Sequence, residues 1–205
     1  MGFFPFFTDI ENKKCIVVGG GKVASGKIER LIPFNPKITV VAPVICDYIK
    51  SISNIDVIQR EFCDSDINEA FMVISATDNR ELNIHISRLC RERKIPVNVV
   101  DVPELCTFYF PAIVKKENVT IGISTEGKSP VFARFLKEKI NAELDGKTLR
   151  TAEFLVYARK IIRERISTES DRKNALEEIL RICIDNEVTG NIDEIIEGLI
   201  QKYEN

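Results

Sequence analysis

Residues 14–28 read KCIVVGGGKVASGKI, and two phosphate-binding patterns overlap there. Gly21, Gly26 and Lys27 have the spacing of a nucleoside triphosphate loop, G-x-x-x-x-G-K, whereas Gly19, Gly21 and Ala24 have that of a dinucleotide loop, G-x-G-x-x-A. A triphosphate loop requires Ser or Thr after its lysine, because that hydroxyl binds magnesium. Here the position is Ile28, which also belongs to an apolar helix face formed with Ala24, Leu31 and Ile32. The triphosphate reading fails at a chemically necessary residue. The dinucleotide reading fits its context, since the glycines follow an apolar strand and open a helix. Gly19 permits the tight turn, Gly21 lets the backbone approach a pyrophosphate, and Ala24 keeps the helix close to the sheet. The acid that usually meets the ribose hydroxyls at the end of the second strand is missing, because Ala42 and Pro43 stand there. No arginine follows closely, so nothing supports a 2′-phosphate.

Outward from this stretch the chain alternates. KITVVA (37–42), DVIQREF (56–62), FMVISAT (71–77) and PVNVVD (96–101) read as further strands, and 79–93 as a helix with Leu82, Ile86 and Leu89 on one face. Strands alternating with helical segments predict right-handed crossovers and a mostly parallel sheet. The pattern changes after Asp101. TFYFPAIV (107–114) and NVTIGIST (118–125), joined by KKEN, read as a hairpin or a strand exchange. SPVFARFLKEKINAEL (129–144) reads as an amphipathic helix with Ser129 as cap and Pro130 in the first turn. From about 148 the pattern is helical, with breaks near Ser167–Ser170 and at Thr189-Gly190. The expected fold is α/β: a Rossmann-type, mostly parallel sheet at 1–112, a small α+β dimerisation segment at 113–146 and a helical region at 147–205.

The composition sets bounds. The formal charge of −2 gives no global field favouring nucleic acid or a membrane. No apolar run approaches the roughly 20 residues of a membrane helix. The apolar start lacks a basic n-region and meets Asp9 early, against a signal peptide. The six cysteines include no C-x-x-C pair and there is one histidine, so a resident zinc site is not expected and the cysteines read as reduced, small apolar residues of a cytoplasmic protein. His85, one position before core-facing Ile86, reads as a boundary residue.

Five pieces in order, FPFFTDIENKKCIVVGGGKVASGKIERL, ITVVAP, ISATDNRELN, VNVVDVPELCTFYFPAIV and ISTEGKSPVFARFLKEKI, resemble the precorrin-2 dehydrogenase family. This is the NAD-dependent module of siroheme synthase, some members of which also act as sirohydrochlorin ferrochelatase. The resemblance covers about residues 3–143; the tail matches only as a small helical region, and no counterpart of the methyltransferase domain of the larger siroheme synthases is expected within these residues. It implies a homodimer interlocked by the segment after the Rossmann domain, NAD as oxidant, precorrin-2 as substrate in a cleft between domains, and Fe²⁺ as a further substrate in bifunctional members. It places Lys22 and Val23 at the pyrophosphate turn, and Pro43 and Val44 against ribose and adenine through their backbone, which accounts for the missing acid.

The resemblance also places a functional aspartate at Asp101, with Asn98 leading into it. Removing a hydride and a proton from a tetrapyrrole needs a base, and Asp101 falls near the carboxyl edge where open α/β sheets bind ligands. Its other reading is a turn or cap residue before Pro103. Ser124, Lys128 and Ser129 precede a helix start and Arg134 follows within it, which suits a receptor for substrate carboxylates; plain capping by Ser129 is compatible with that. Thr77 and Asp78 follow the fourth strand on the nicotinamide side, with an Asp78 helix cap as the alternative. The basic residues Arg159, Lys160, Arg163 and Arg165 read as a solvated helix face. Three hypotheses follow: a dehydrogenase, a dehydrogenase that also chelates iron, and a non-enzymatic NAD-sensing module. The last needs neither NVVD nor STEGKSP.

Overall fold

A computed structural model describes residues 2–185 and 192–203; the expected break at Thr189-Gly190 lies outside them. The chain divides into two compact units, one formed by Phe4–Phe110 and one running from Pro111 toward the C-terminus.

The first unit carries a five-stranded sheet in the order β3-β2-β1-β4-β5, with every pairing parallel. Its elements are β1 (Lys14–Val18), α1 (Lys22–Leu31), β2 (Lys37–Val41), α2 (Asp47–Ser51), β3 (Ile55–Ile58), β4 (Met72–Ser75), α3 (Arg80–Glu92) and β5 (Val97–Val99). Alternation along β1 explains the two cores. Cys15 and Val17 enter one with Ala24, Ile28 and Leu31 of α1, and Ile16 and Val18 enter the other with Ile86, Leu89 and Cys90 of α3. A strand buried on both faces must be apolar throughout, as KCIVV nearly is. The order reverses between β1, which runs to β2 on one side, and β4 on the other. Ligands of open sheets gather at that switch point, outside the carboxyl ends of the strands.

Two expectations need correction. The third strand ends at Ile58 rather than Phe62, and no helix fills the way to β4. The crossover is instead pinned by charge: Arg60 donates twice to the Asp66 carboxylate, at 2.5 and 2.8 Å, and Asp66 also accepts from the Cys63 amide at 2.8 Å. Strand structure is likewise absent from 107–110. There the chain folds back on the outer edge of β5, whose amides are met by side chains: Val97 N–H donates to the Thr107 hydroxyl at 2.8 Å and Val99 N–H to the Cys106 sulfur at 3.2 Å. Hydroxyl and thiol thus close an edge that would otherwise be open to another strand.

In the second unit β6 (Ala112–Lys116) and β7 (Val119–Ile123) form an antiparallel hairpin, followed by α4 (Pro130–Glu143). Ser129 caps α4, its side chain accepting from the Phe132 amide at 3.4 Å. Lys116 on β6 donates to the carbonyls of Asn141 and Leu144, each at 2.8 Å. These are orphan acceptors at a helix C-terminus, where a cation is favoured. The helices α5 (Gly146–Arg165), α6 (Glu169–Asp185) and α7 (Ile192–Tyr203) enclose their own core around Ile162, Ile179, Ile196 and Ile200. The break between α5 and α6 falls at 166–168.

Candidate functional site

The three glycines after β1 have different jobs. Gly19 has φ +120°, and a Cβ there would sit 2.3 Å from the Ala76 carbonyl oxygen after β4. Gly20 is pressed on the loop after β2: its Cβ would lie 2.2 Å from the Val44 oxygen and 2.8 Å from Ile45 Cα. The same contact is closed by a hydrogen bond from the Cys46 amide to the Gly20 carbonyl at 2.9 Å. Sequence reasoning passed over Gly20; the run of three glycines was the signal. Gly21 differs from both. A Cβ there would meet nothing within 4 Å, and it is the N-cap of α1, in extended conformation and without a side-chain cap.

The start of α1 is therefore suited to an anion. No acidic residue stands in its first turn, and among the described residues the N–H groups of Lys22, Val23 and Ala24 have no side-chain acceptor. A helix start of this kind carries partial positive charge and free donors. Lys22 and Val23 are exposed beside it, while Ala24 is fully buried against the sheet. Beyond β2, Pro43 is exposed and Val44 is 77% exposed, an apolar surface tied to the glycine turn by the Gly20 contact. The residues fit a dinucleotide: open space at Gly21, free amides behind it, and an apolar shelf alongside.

At the end of β4, Asn83 of α3 fixes the backbone. Its Oδ1 accepts from the hydroxyls of Ser75 and Thr77, each at 2.7 Å, and its Nδ2 donates to the Thr77 carbonyl at 2.9 Å. The Thr77 hydroxyl is thus engaged inward. The buried Asn83 was missed, although a polar residue between Leu82 and Ile86 on an apolar face was its signal. Asp78 does not cap α3; Asn79 does, accepting from the Leu82 amide at 3.1 Å. Asp78 is exposed and has no hydrogen-bond or ion-pair partner among the described residues.

After β5 the chain turns through Val100 and Asp101. Asp101 does not end the strand; it sits in the turn with φ +60°. It is exposed, and the short 3₁₀ turn that follows at Pro103–Leu105 has no side-chain cap. Asp and Asn tolerate left-handed backbone better than most residues. Its carboxylate has no hydrogen-bond or ion-pair partner among the described residues, so the turn uses its backbone and leaves its charge available. Asn98, on β5, is only 5% exposed. Its Nδ2 donates to the Phe108 carbonyl at 3.0 Å, and its Oδ1 is buried with no donor among the described residues.

Lys27 is the residue whose role changes most. Read from sequence as an incidental match, it is half-buried on α1 with its ammonium 4.7 Å from the centre of the Phe110 ring. Burial pushes its pKa down, and Arg30 adds to this; Cys106 and Asp101 act the other way.

The block 124–134 belongs to the second unit. The Ser124 hydroxyl accepts from the Glu126 amide at 3.1 Å, within a turn where Glu126 and Gly127 have φ of +54° and +75°. Thr125 Oγ1 accepts from the Ser129 amide at 3.3 Å. Lys128 is exposed and paired with Glu126 at 2.6 Å. Arg134 is exposed and has no ion-pair partner among the described residues. His85 is a boundary residue, 2.7 Å from Asp64. All six cysteines are free. Among the described residues no cluster of His, Cys, Asp and Glu could hold a metal, and no helix is long and apolar enough to cross a membrane.

Residues 6–112 match the family described as "Putative NAD(P)-binding", and residues 117–143 the one described as "Sirohaem biosynthesis protein central". The siroheme synthase of Thioalkalivibrio sulfidiphilus is 38% identical over 183 residues, 88% of this chain and 37% of that protein. The siroheme synthase of Vesicomyosocius okutanii subsp. Calyptogena okutanii is 37% identical over 198 residues, 95% of this chain and 42% of that protein. The chain spans about two fifths of the length of these relatives. A solved structure described as "SirC, precorrin-2 dehydrogenase" shares the fold, with a TM-score of 0.73 at 23% identity, covering 98% of this chain and 100% of that one.

Proposed function

Since the chain belongs to the NAD(P)-binding family that matches residues 6–112, joined here to the sirohaem biosynthesis central segment at 117–143, we propose that it is a dehydrogenase oxidising precorrin-2 to sirohydrochlorin with NAD⁺. One observation carries this reading: the first unit pairs an uncapped, acid-free helix start at an open glycine with a carboxylate left free in the turn after β5. The first suits a dinucleotide pyrophosphate and the second suits a base. The relatives named siroheme synthase and the fold neighbour named precorrin-2 dehydrogenase support the choice of substrate.

When bound, NAD⁺ supplies the hydride acceptor. The amides of Lys22 and Val23, with Gly19 and Gly21 shaping the turn, hold the pyrophosphate. Pro43 and Val44 line the adenosine half; the segment 42–46 offers neither an acid nor an arginine, which favours NAD over NADP. Thr77 and Asp78 flank the nicotinamide half. As the macrocycle gives up a hydride, a carboxylate oxygen of Asp101 accepts the proton released with it, so two electrons and two hydrogens leave the substrate. A positioned base of this kind contributes about 10²–10⁴-fold. Asn98 braces the strand that delivers Asp101 and belongs with it to the substrate-binding residues of the first unit; in the second unit Ser124, Lys128, Ser129 and Arg134 suit recognition of substrate carboxylates. We place the protein in the cytoplasm as a homodimer assembled through 113–146, with 147–205 a separate helical region.

The same free carboxylate suits removal of pyrrole protons when Fe²⁺ enters sirohydrochlorin, an activity measured by supplying both without NAD⁺. The deciding experiment is to mix purified protein, precorrin-2 and NAD⁺ and follow NADH absorbance. Growth of NADH with formation of sirohydrochlorin is expected. No NADH from folded, NAD-binding protein overturns the reading in favour of a nucleotide sensor.

A further inference from the structure

The dinucleotide reading leaves Lys27 unused. It lies six residues beyond the N-cap of α1, about 9 Å along the axis from it at 1.5 Å per residue. Its ammonium is drawn away from the free amides of the first turn to the face of Phe110, 4.7 Å from the ring centre. Phe110 in turn packs on Phe108, with ring centroids 5.4 Å apart, and the Phe108 carbonyl is held by the buried Asn98 of β5 at 3.0 Å. The aromatic floor beneath the lysine is thus anchored to the strand that leads into Asp101.

Three features make this lysine unlike a solvated one. It is half-buried although it carries charge, and no carboxylate lies within ion-pair distance of it among the described residues. Desolvating an ammonium is unfavourable unless something compensates, and here only a ring face and the more distant Asp101 charge do so; the depressed pKa reflects that shortfall. A ring face stabilises a cation less than a hydrogen-bonded anion would. Arg30, next on the helix surface, adds positive potential and is exposed. The structure therefore holds a cation short of an anion at the edge of the sheet where the base stands.

We propose that Lys27 is a substrate-binding residue that receives one peripheral carboxylate of the tetrapyrrole, with Phe110 as the floor that orients its ammonium. This rests on the dehydrogenase reading for the identity of the substrate. The anion is not a cofactor phosphate, since phosphates are served by the amides at 22–24, about one turn away along α1, and the ammonium turns from them to Phe110. One carboxylate held on α1 and the reacting carbon beside Asp101 would fix the rotation of a macrocycle whose rim repeats similar groups, and so decide which ring edge meets the base.

The test uses sirohydrochlorin as a direct binding probe, so that it does not depend on turnover. Lys27→Met keeps the stem on Phe110 and removes the charge; Lys27→Arg keeps the charge. Equilibrium titrations of sirohydrochlorin by its absorbance, and of NAD⁺ by calorimetry, are made on both variants and the parent. The expected result is about tenfold weaker sirohydrochlorin binding in Lys27→Met, the scale of one charge-assisted contact at a partly solvated site. Lys27→Arg should recover most of it, with NAD⁺ affinity and thermal midpoint within error of the parent throughout. Equal sirohydrochlorin affinity in Lys27→Met overturns the proposal, as does a loss confined to NAD⁺, which would make the lysine a phosphate ligand. Parent protein that fails to bind sirohydrochlorin also overturns it. Parent protein that binds sirohydrochlorin through Lys27 but never reduces NAD⁺ upholds this site and refutes the dehydrogenase reading alone.

Discussion

Two glycine-to-alanine substitutions, one residue apart, should have opposite consequences. In Gly20→Ala the new methyl would stand 2.2 Å from the Val44 oxygen and 2.8 Å from Ile45 Cα. Both are backbone atoms of a loop held by the Cys46–Gly20 hydrogen bond, so neither yields by a rotamer change. Overpacking of this sort costs about 1–3 kcal/mol. At roughly 2–4 °C per kcal/mol for a chain of this size, the thermal midpoint should fall by about 2–12 °C. In Gly21→Ala the methyl meets nothing within 4 Å, and the backbone, at φ −92° and ψ −171°, is open to any residue. Alanine is a poorer N-cap than glycine, but it restricts the unfolded chain by about 0.4–1 kcal/mol; the two offset, and the midpoint should move by less than about 2 °C. Under the proposed function, the same methyl stands where a pyrophosphate would approach the amides of Lys22 and Val23, and losing one charge-assisted hydrogen bond should weaken NAD⁺ binding at least about tenfold. Differential scanning calorimetry and NAD⁺ titration of each variant separate the cases. A Gly21→Ala protein that is destabilised but binds NAD⁺ normally would refute the assignment of open space to the phosphate.

Asp101→Ala should bind NAD⁺ with parental affinity and lose about 10²–10⁴-fold in precorrin-2 oxidation; near-normal turnover would remove Asp101 from the mechanism. Because Asp101 holds φ +60°, Asp101→Asn is the control that tolerates the same backbone. Arg134→Ala should raise the KM for precorrin-2 several-fold while leaving that for NAD⁺ unchanged, and equal effects on both would contradict a carboxylate role.

What was legible in the sequence was what rests on local chemistry. The apolar run KCIVV, three glycines and a helix closed by Pro33 could form little other than a buried strand, a tight turn and α1. Ser129-Pro130 carried its own capping signal. The features that escaped depend on distant contacts. Gly20 is glycine because Val44 lies against it, and Asn83 is polar on a buried face because Ser75 and Thr77 need its amide. Lys27 faces Phe110 only because the chain returns along β5, which also explains why 107–110 reads as strand and is not one: a hydroxyl and a thiol serve the edge that a strand would have served. Asp78 was expected as a possible cap, but Asn79 is one residue better placed. Asp101 stood out by position, while its unused carboxylate became visible only once its turn was built.

The helix-free crossover from β3 to β4 leaves one half of a sheet face without a helical layer, over a recess of about 420 Å³ that includes Thr39, Asp56 and Asp66. An ordinary doubly wound sheet is clamped there by a helix, whereas here the crossover enters the second core with Ile67, alongside Phe62 and Ala70, and the Arg60–Asp66 ion pair pins it. The Arg60 hydrogen bond holds the Asp66 carboxyl below its ordinary value of 3.8. A depressed carboxylate stabilises the fold at pH above its unfolded value and ceases to do so as pH falls through the lower folded one. Near neutrality the ion pair is intact; in strong acid it opens while the cores around β1 and β4 remain. β3 then becomes the flank from which the sheet unravels, a cooperative unit of low opening free energy, and amide exchange at Ile55–Ile58 should quicken in acid relative to β4, beyond the intrinsic change. The half of the sheet that carries the glycine turn, Thr77 and Asp101 should keep its register meanwhile, so loss of this flank and loss of the edge that bears Asp101 are separate events.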